Sequence, residues 1–203
     1  RHMGRHLPGN PSLVVQNMPG AGTLRAANYL YSVAPKDGTV IGIFARNIPL
    51  LGLLGGNAAV QLDPRKYTWL GSSSSYTEDA SLMFVRPGAN VKSLEEARKP
   101  GGPPLVLGGT GDGATGNDIA ILLRDALGLN IKLISGYPDA NALFIAIERG
   151  ELDGRITDMS SVRANRGHWY NKPDGQVPGM RIFLQFARTT RHPDFPDVPI
   201  DRK

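Results

Sequence analysis

Apolar positions along the chain fall into short clusters, separated by glycine, proline and polar residues, with two alternating periods. Residues 12–16 (SLVVQ) form an apolar run ended by Asn17-Met18-Pro19-Gly20, which predicts a strand followed by a turn. Residues 21–34 place Leu24, Ala27, Leu30 and Tyr31 on one helical face, with Pro35 as the stop. Asp37-Gly38 predicts a turn and 40–44 (VIGIF) a second strand, so this stretch reads as a β-α-β unit with the helix as crossover. A shorter helix is predicted over 48–54, closed by Gly55-Gly56. Residues 67–71 and 82–85 read as strands, with a loop at 72–75 between them.

Arg86-Pro87-Gly88 interrupts the pattern. Beyond it, Ser93 and Glu96 stand at the spacing of a capping box, 105–107 predicts a strand, and 114–127 predicts a helix with Ile119, Leu122, Leu123 and Ala126 inward. A strand over 131–134 precedes a helix over 139–149, capped by Asp139 and stopped by Gly150. A short strand runs through Ile156, a helix start stands at Ser160, and a last strand covers 180–186. Strands alternating with helices predict a mostly parallel sheet covered on both faces. The alternation runs twice, before and after about residue 86. This predicts a two-lobed α/β architecture, with residues 1–85 and 182–203 in the first lobe and 86–181 in the second. The chain is expected to cross between lobes near 82–87 and 180–188.

Composition narrows the function classes. The 203 residues include no cysteine, which excludes a disulfide scaffold, a thiolate metal site and a cysteine nucleophile together. The net charge is +5, but Lys and Arg are scattered singly and aromatics make up 7%, unlike a nucleic-acid binder with a basic stripe and stacking rings. No stretch approaches the ~20 apolar residues of a membrane span. His2 and His6 stand four apart, a spacing that can hold zinc, but no HExxH and no nearby third ligand accompany them, so they read as one face of a helix end. The basic first residues lack an N-cap and the Pro-studded segment 193–199 leads to no further element; both ends look cut. The first lobe is therefore expected to be incomplete and to expose apolar surface.

The strongest chemical signal is Gly108-Gly109-Thr110-Gly111-Asp112-Gly113-Ala114-Thr115-Gly116, between a predicted strand and a predicted helix. Glycines let bare N–H groups approach a ligand, and a helix start adds partial positive charge, a combination that suits a carboxylate, phosphate or sulfate. Gly111, Gly113 and Gly116 also spell GxGxxG, which admits a dinucleotide-dependent enzyme. The acidic partner that reading needs would be Asp139, which looks better employed as a helix cap. No lysine follows, so a P-loop is excluded, while a plain packing turn stays open. Pro19-Gly20-Ala21-Gly22-Thr23 repeats the same physics in the other half. Two such helix starts could face one cleft, since ligands of open α/β sheets sit at the carboxyl ends of the strands. Arg46 and Asp158 occupy such strand ends; either lines the cleft or serves local structure. No nucleophile elbow or paired-carboxylate pattern is present, and His168-Trp169-Tyr170 reads as surface packing.

These residues resemble a known family. Val15-Gln16-Asn17-Met18-Pro19-Gly20-Ala21-Gly22, followed by Ala34-Pro35-Lys36-Asp37-Gly38-Thr39, resembles the V-x-N-x-P-G-A-G and A-P-D-G signature of the substrate-binding proteins of tripartite tricarboxylate transporters, the Bug-type receptors. The glycine loop 108–116, Gly150-Glu151-Leu152-Asp153 and the segment 192–199 resemble later motifs of that family, and the similarity runs from about Pro8 to Pro199. The resemblance implies a periplasmic solute receptor, not an enzyme, without cofactor or metal. It would clamp a small organic acid between two lobes and hand it to membrane transporter subunits. With the strand-end residues Arg46 and Asp158 added to the two loops, the expected ligand contacts are Gly20, Ala21, Gly22, Thr23, Arg46, Thr110, Gly111, Asp112, Gly113, Ala114, Thr115 and Asp158. Lys36 is an extra residue in the A-P-D-G turn, and Asp112 adds a negative side chain to the anion loop. Gly113→Val is expected to abolish binding by entering the ligand's path while the fold survives.

Overall fold

A computed structural model describes residues 2–72, 80–169, 180–186 and 188–200. Its centre is one five-stranded sheet built from β1 (Ser81–Val85), β2 (Leu105–Gly108), β3 (Ile131–Ile134), β4 (Gly154–Asp158) and β5 (Arg181–Phe186), in the order β3-β2-β4-β1-β5. β2 runs parallel to β3 and to β4. β1 is antiparallel to both its neighbours, pairing Ser81 with Asp158 and Val85 with Gly154 on one side and Val85 with Arg181 on the other. The expected mostly parallel sheet therefore carries one reversed strand in its interior. Segments expected to cross between lobes, around 82–87 and 180–188, contribute β1 and β5, hydrogen-bonded to each other within this sheet.

Alternate side chains bury on opposite faces. Met83, Val85, Leu105, Leu107 and Ile156 pack under α3 (Leu94–Ala97) and α4 (Thr115–Leu127), while Leu82 and Phe84 pack under α5 (Ala140–Glu148) and α6 (Met159–Arg166). Burial on both faces explains why these strands read as short, nearly continuous apolar runs. In α4 the inward residues are Asn117, Ala120 and Leu123. Leu122 is 60% exposed and Ala126 also faces out, so the helical face is rotated from the predicted one, because the amide of Asn117 packs against Gly109 and donates to Ser135 Oγ at 2.9 Å. Ser93 and Asp139 cap their helices as predicted, accepting from the N–H groups of Glu96 and Ala142. The carboxylate of Glu96 accepts from the N–H of Lys92 rather than from that of Ser93.

The last described residues form a strap along β5. Gln185, fully buried, donates through Nε2 to the carbonyls of Phe195 and Val198 and accepts through Oε1 from the N–H of His192. The strap places Phe195 in the apolar layer below α5.

The N-terminal half is built differently. It contains α1 (Leu24–Ser32), α2 (Ile48–Leu54) and single 3-10 turns at Met3–His6, Ala21–Thr23 and Pro64–Lys66. The predicted strands 12–16, 40–44 and 67–71 are not strands; they have no ladder partner among the described residues. A small core of Leu24, Ala27, Ile48 and Leu62 holds this half together, edged by Tyr31, Phe44 and Tyr67. The loop predicted at 72–75 and the Tyr170 end of 168–170 extend beyond the described residues; Trp169 is buried edge-on against Phe144 rather than on the surface.

Candidate functional site

Both glycine loops are shaped by backbone that side chains disfavour. Gly20, Ala21, Gly22 and Thr23 all have positive φ, at 128°, 46°, 58° and 76°. Ala21 and Thr23 hold this conformation despite a Cβ, a local strain that structures retain where a site requires it. Thr23 Oγ1 accepts from the N–H of Ala45 at 2.7 Å, which ties the start of α1 to the segment carrying Arg46. In the second loop Gly111 and Gly113 have φ of 150° and 77°.

The two loops touch. A Cβ on Gly22 would lie 2.9 Å from the carbonyl oxygen of Asp112 and 3.2 Å from the nitrogen of Ala114; one on Gly111 would lie 3.3 Å from the backbone of Ala21 and Gly22. The glycines let the two backbones meet. The GxGxxG pattern is thus covered by the N-terminal loop, and Asp139 spends its carboxylate on its own helix.

Side chains continue this junction. Arg46 pairs with Asp158 at 2.7 Å, and Asp158 also accepts from Ser81 Oγ at 2.5 Å. Asn47 donates to Asp118 at 2.7 Å, and Asn57 donates to Asp112 at 3.4 Å. Arg46 and Asp158, singled out separately in the sequence, are therefore partners of one another. Asn47, Asn57, Ser81 and Asp118 escaped sequence reasoning because nothing in their spacing foretells contacts across up to 77 residues. Gly113 faces α2: a Cβ there would run into Leu51 and come within 3.5 Å of Ile48, so Gly113→Val would strike the neighbouring helix.

Helix starts at this junction lack side-chain caps. Thr23, Ala114 and Asp158, the N-caps of α1, α4 and α6, make no side-chain hydrogen bond to their helices, whereas Ser93 and Asp139 cap α3 and α5. An uncapped start presents free N–H donors and partial positive charge to an anion. Surface pockets of about 310 Å³ beside Arg86 and Trp169 and about 300 Å³ beside Lys92 and Arg181 involve neither loop. No group of three metal-ligating side chains occurs among the described residues.

Solved structures share this architecture. The periplasmic binding protein BugD matches with a TM-score of 0.67 and 17% identity, over 93% of this chain and 59% of its own. The chain has the Bug-type periplasmic binding-protein fold. Rpa4515 of R. palustris, solved with adipate, matches with a TM-score of 0.67 and 18% identity over 98% of this chain and 62% of its own. MatC of Rhodopseudomonas palustris, solved with malate, matches at 0.55 and 16% identity over 89% and 57%. The chain thus spans about three-fifths of these proteins' length. No protein-family model matches the sequence, and neither does any curated protein. Among the described residues, no helix is long and apolar enough to cross a membrane.

Proposed function

We propose that this chain is the ligand-binding part of a periplasmic solute receptor that takes a small organic acid and serves a tripartite tricarboxylate-type transporter, without catalysing a reaction. The observation that carries the reading is the meeting of the two glycine loops at the uncapped starts of α1 and α4. A carboxylate supplies two acceptors for the backbone N–H groups of residues 20–23 and 110–115 other than those of Thr23 and Ala114, which the carbonyls of Gly20 and Gly111 hold. The fold shared with proteins solved with adipate and malate supports the same ligand class. Arg46 and Asp158 act as a latch between the halves, and the ligand loops move apart to admit the acid. The division into two lobes at residues 85/86 and 181/182, with β1 and β5 as the connecting strands, is part of this proposal.

Isothermal titration with succinate, glutarate, adipate and malate, and separately with NAD and NADP, tests the proposal. Saturable heat with at least one acid and none with the dinucleotides is expected. Binding of a dinucleotide alone would replace the receptor reading with the enzymatic one.

A further inference from the structure

A glycine after an aspartate leaves the way open for its own backbone nitrogen to reach the aspartate's Cγ, because no side chain blocks the approach. Among the described residues such pairs are Asp37-Gly38, Asp112-Gly113 and Asp153-Gly154; Asp174-Gly175 lies outside them. The fold treats these aspartates differently. Asp153 is buried, with Oδ1 accepting from Arg86 at 3.1 Å and Oδ2 from the N–H of Val106 at 3.0 Å. Gly154 is fixed in β4 opposite Val85, where even a Cβ would run into the carbonyl of Phe84. Asp37 is exposed, but its Oδ1 accepts from the N–H and the hydroxyl of Thr39, at 3.0 and 2.6 Å. Both bonds commit the carboxylate to residue 39 rather than to the nitrogen of Gly38. They also hold its pKa below the ordinary carboxylate range, so less of the reactive carboxylic acid is present.

Asp112 has no such partners. Its side chain is exposed, and its carboxylate's only hydrogen bond among the described residues is a long one from Asn57, at 3.4 Å. The N–H of Gly113 donates no hydrogen bond among the described residues. Nucleophile and electrophile are both uncommitted, in the loop that touches the N-terminal half.

We infer that Asp112-Gly113 is a self-modifying site, which isomerises spontaneously to isoaspartate and thereby parts the two glycine loops. The nitrogen of Gly113 bonds to Cγ of Asp112, and one carboxyl oxygen leaves as water with the carboxyl proton and the amide proton. Water then opens the resulting succinimide. Opening at Cγ restores aspartate; opening at the backbone carbonyl carbon leaves the chain running through Cβ, with the old carbonyl as a free carboxylate. That carbonyl is the one that would lie 2.9 Å from a Cβ on Gly22. The product therefore sets a charge against the N-terminal loop and lengthens the turn that the N–H of Ala114 closes on the carbonyl of Gly111 at 3.2 Å. Only the calorimetric readout below rests on the carboxylate reading of the junction.

Ageing the purified protein at neutral pH and physiological temperature, then mapping its peptides by electron-transfer fragmentation, tests this. Isoaspartate at 112 should accumulate about ten-fold or more faster than at 37 or 153, whose carboxylates must first give up charge-assisted bonds. The succinimide, lighter by one water, should appear on the same peptide. Isoaspartate forming first at 37 or 153, or none at 112, overturns the modification and leaves the receptor reading standing. The isoaspartate-112 fraction, separated chromatographically, should melt below the unmodified fraction and bind adipate or malate at least about ten-fold more weakly. Asp112→Glu, whose longer side chain cannot close the five-membered ring, should age without losing the melting temperature or affinity of its own fresh sample. A modified fraction that melts like the unmodified one, or an Asp112→Glu sample that declines in step with the wild type, overturns the parting of the loops. Fresh wild type that binds no acid overturns the carboxylate reading alone, because mapping and melting do not depend on it.

Discussion

The two halves of the chain carry the same sequence signal and do different things with it. Residues 40–44 and 82–85 are both short, apolar and rich in branched or aromatic side chains. The second becomes part of β1, with neighbours on both edges and every residue buried. The first has no ladder partner among the described residues, and Ile43 is 83% exposed, as is Val15 in the 12–16 segment. An apolar run specifies that a surface wants to be covered. It becomes a strand only when another chain segment supplies the hydrogen bonds and the facing layer.

Substitutions of matched apolar residues should break the comparison most sharply. Phe84→Ala removes a fully buried ring between β4 and α5 and should cost about 3–5 kcal/mol, lowering the melting temperature by roughly 10 °C. Ile43→Ser removes an exposed side chain and should change stability by less than about 0.5 kcal/mol. Hydrogen exchange should show the same split, with slow amides in β1, β2 and β4 and fast ones in 12–16 and 40–44. A protected 40–44 segment in solution would mean that it finds a partner strand.

The next effect lies where the halves touch. Gly22→Val forces a branched residue to a φ of 58° and drives its Cβ into the backbone of Asp112 and Ala114. It should cost about 1–3 kcal/mol and abolish binding of any acid the wild type takes, as read by calorimetry. Gly113→Val should instead lower the melting temperature through its collision with Leu51. A variant that melts normally yet loses binding would place the ligand at Gly113 after all.

Legibility followed contact range. The sheet half was readable because its elements carry local signals: Ser93 and Asp139 at helix starts, Gly150 at a helix end, and apolar runs at 105–107 and 131–134. The reversed direction of β1 was not readable, since a five-residue run says nothing about which way its neighbours point. Both glycine loops were legible as places where backbone must come close to something. That each is the other's close neighbour, and that Arg46 answers Asp158 from 112 residues away, is information held only by the fold.

A smaller effect tests the latch. Arg46 and Asp158 are each about one-third exposed, so the pair should contribute only about 0.2–1 kcal/mol, and Arg46→Ala should lower stability by no more than that. Asp158→Ala should cost more, because it also strands Ser81 Oγ. A double-mutant cycle separates the two, and a coupling that vanishes in high salt is expected. Asp112→Asn should be weaker still: its side chain is exposed and faces Asn57 at 3.4 Å. Acid affinity should change by less than about three-fold. A larger tightening would show that the carboxylate points at the ligand and repels it.

The smallest expected effect concerns pH and the N-terminal core. Tyr67 packs against Tyr31, Phe44 and Trp69 and donates its hydroxyl to the carbonyl of Ala27 at 2.8 Å. Burial, with a further push from Tyr31, raises its pKa to about 12, whereas in the unfolded chain it titrates near ~10. The folded state therefore holds this proton more tightly than the unfolded one. Its contribution is fully present below about pH 10 and is lost as the pH climbs toward 12. The ring is partly open to water, so the effect is modest. Tyr67→Phe should melt slightly below the wild type at pH 8, and the gap should shrink steadily above pH 10. A gap that stays constant to pH 12 would mean that the Tyr67 hydroxyl is solvated in the folded state.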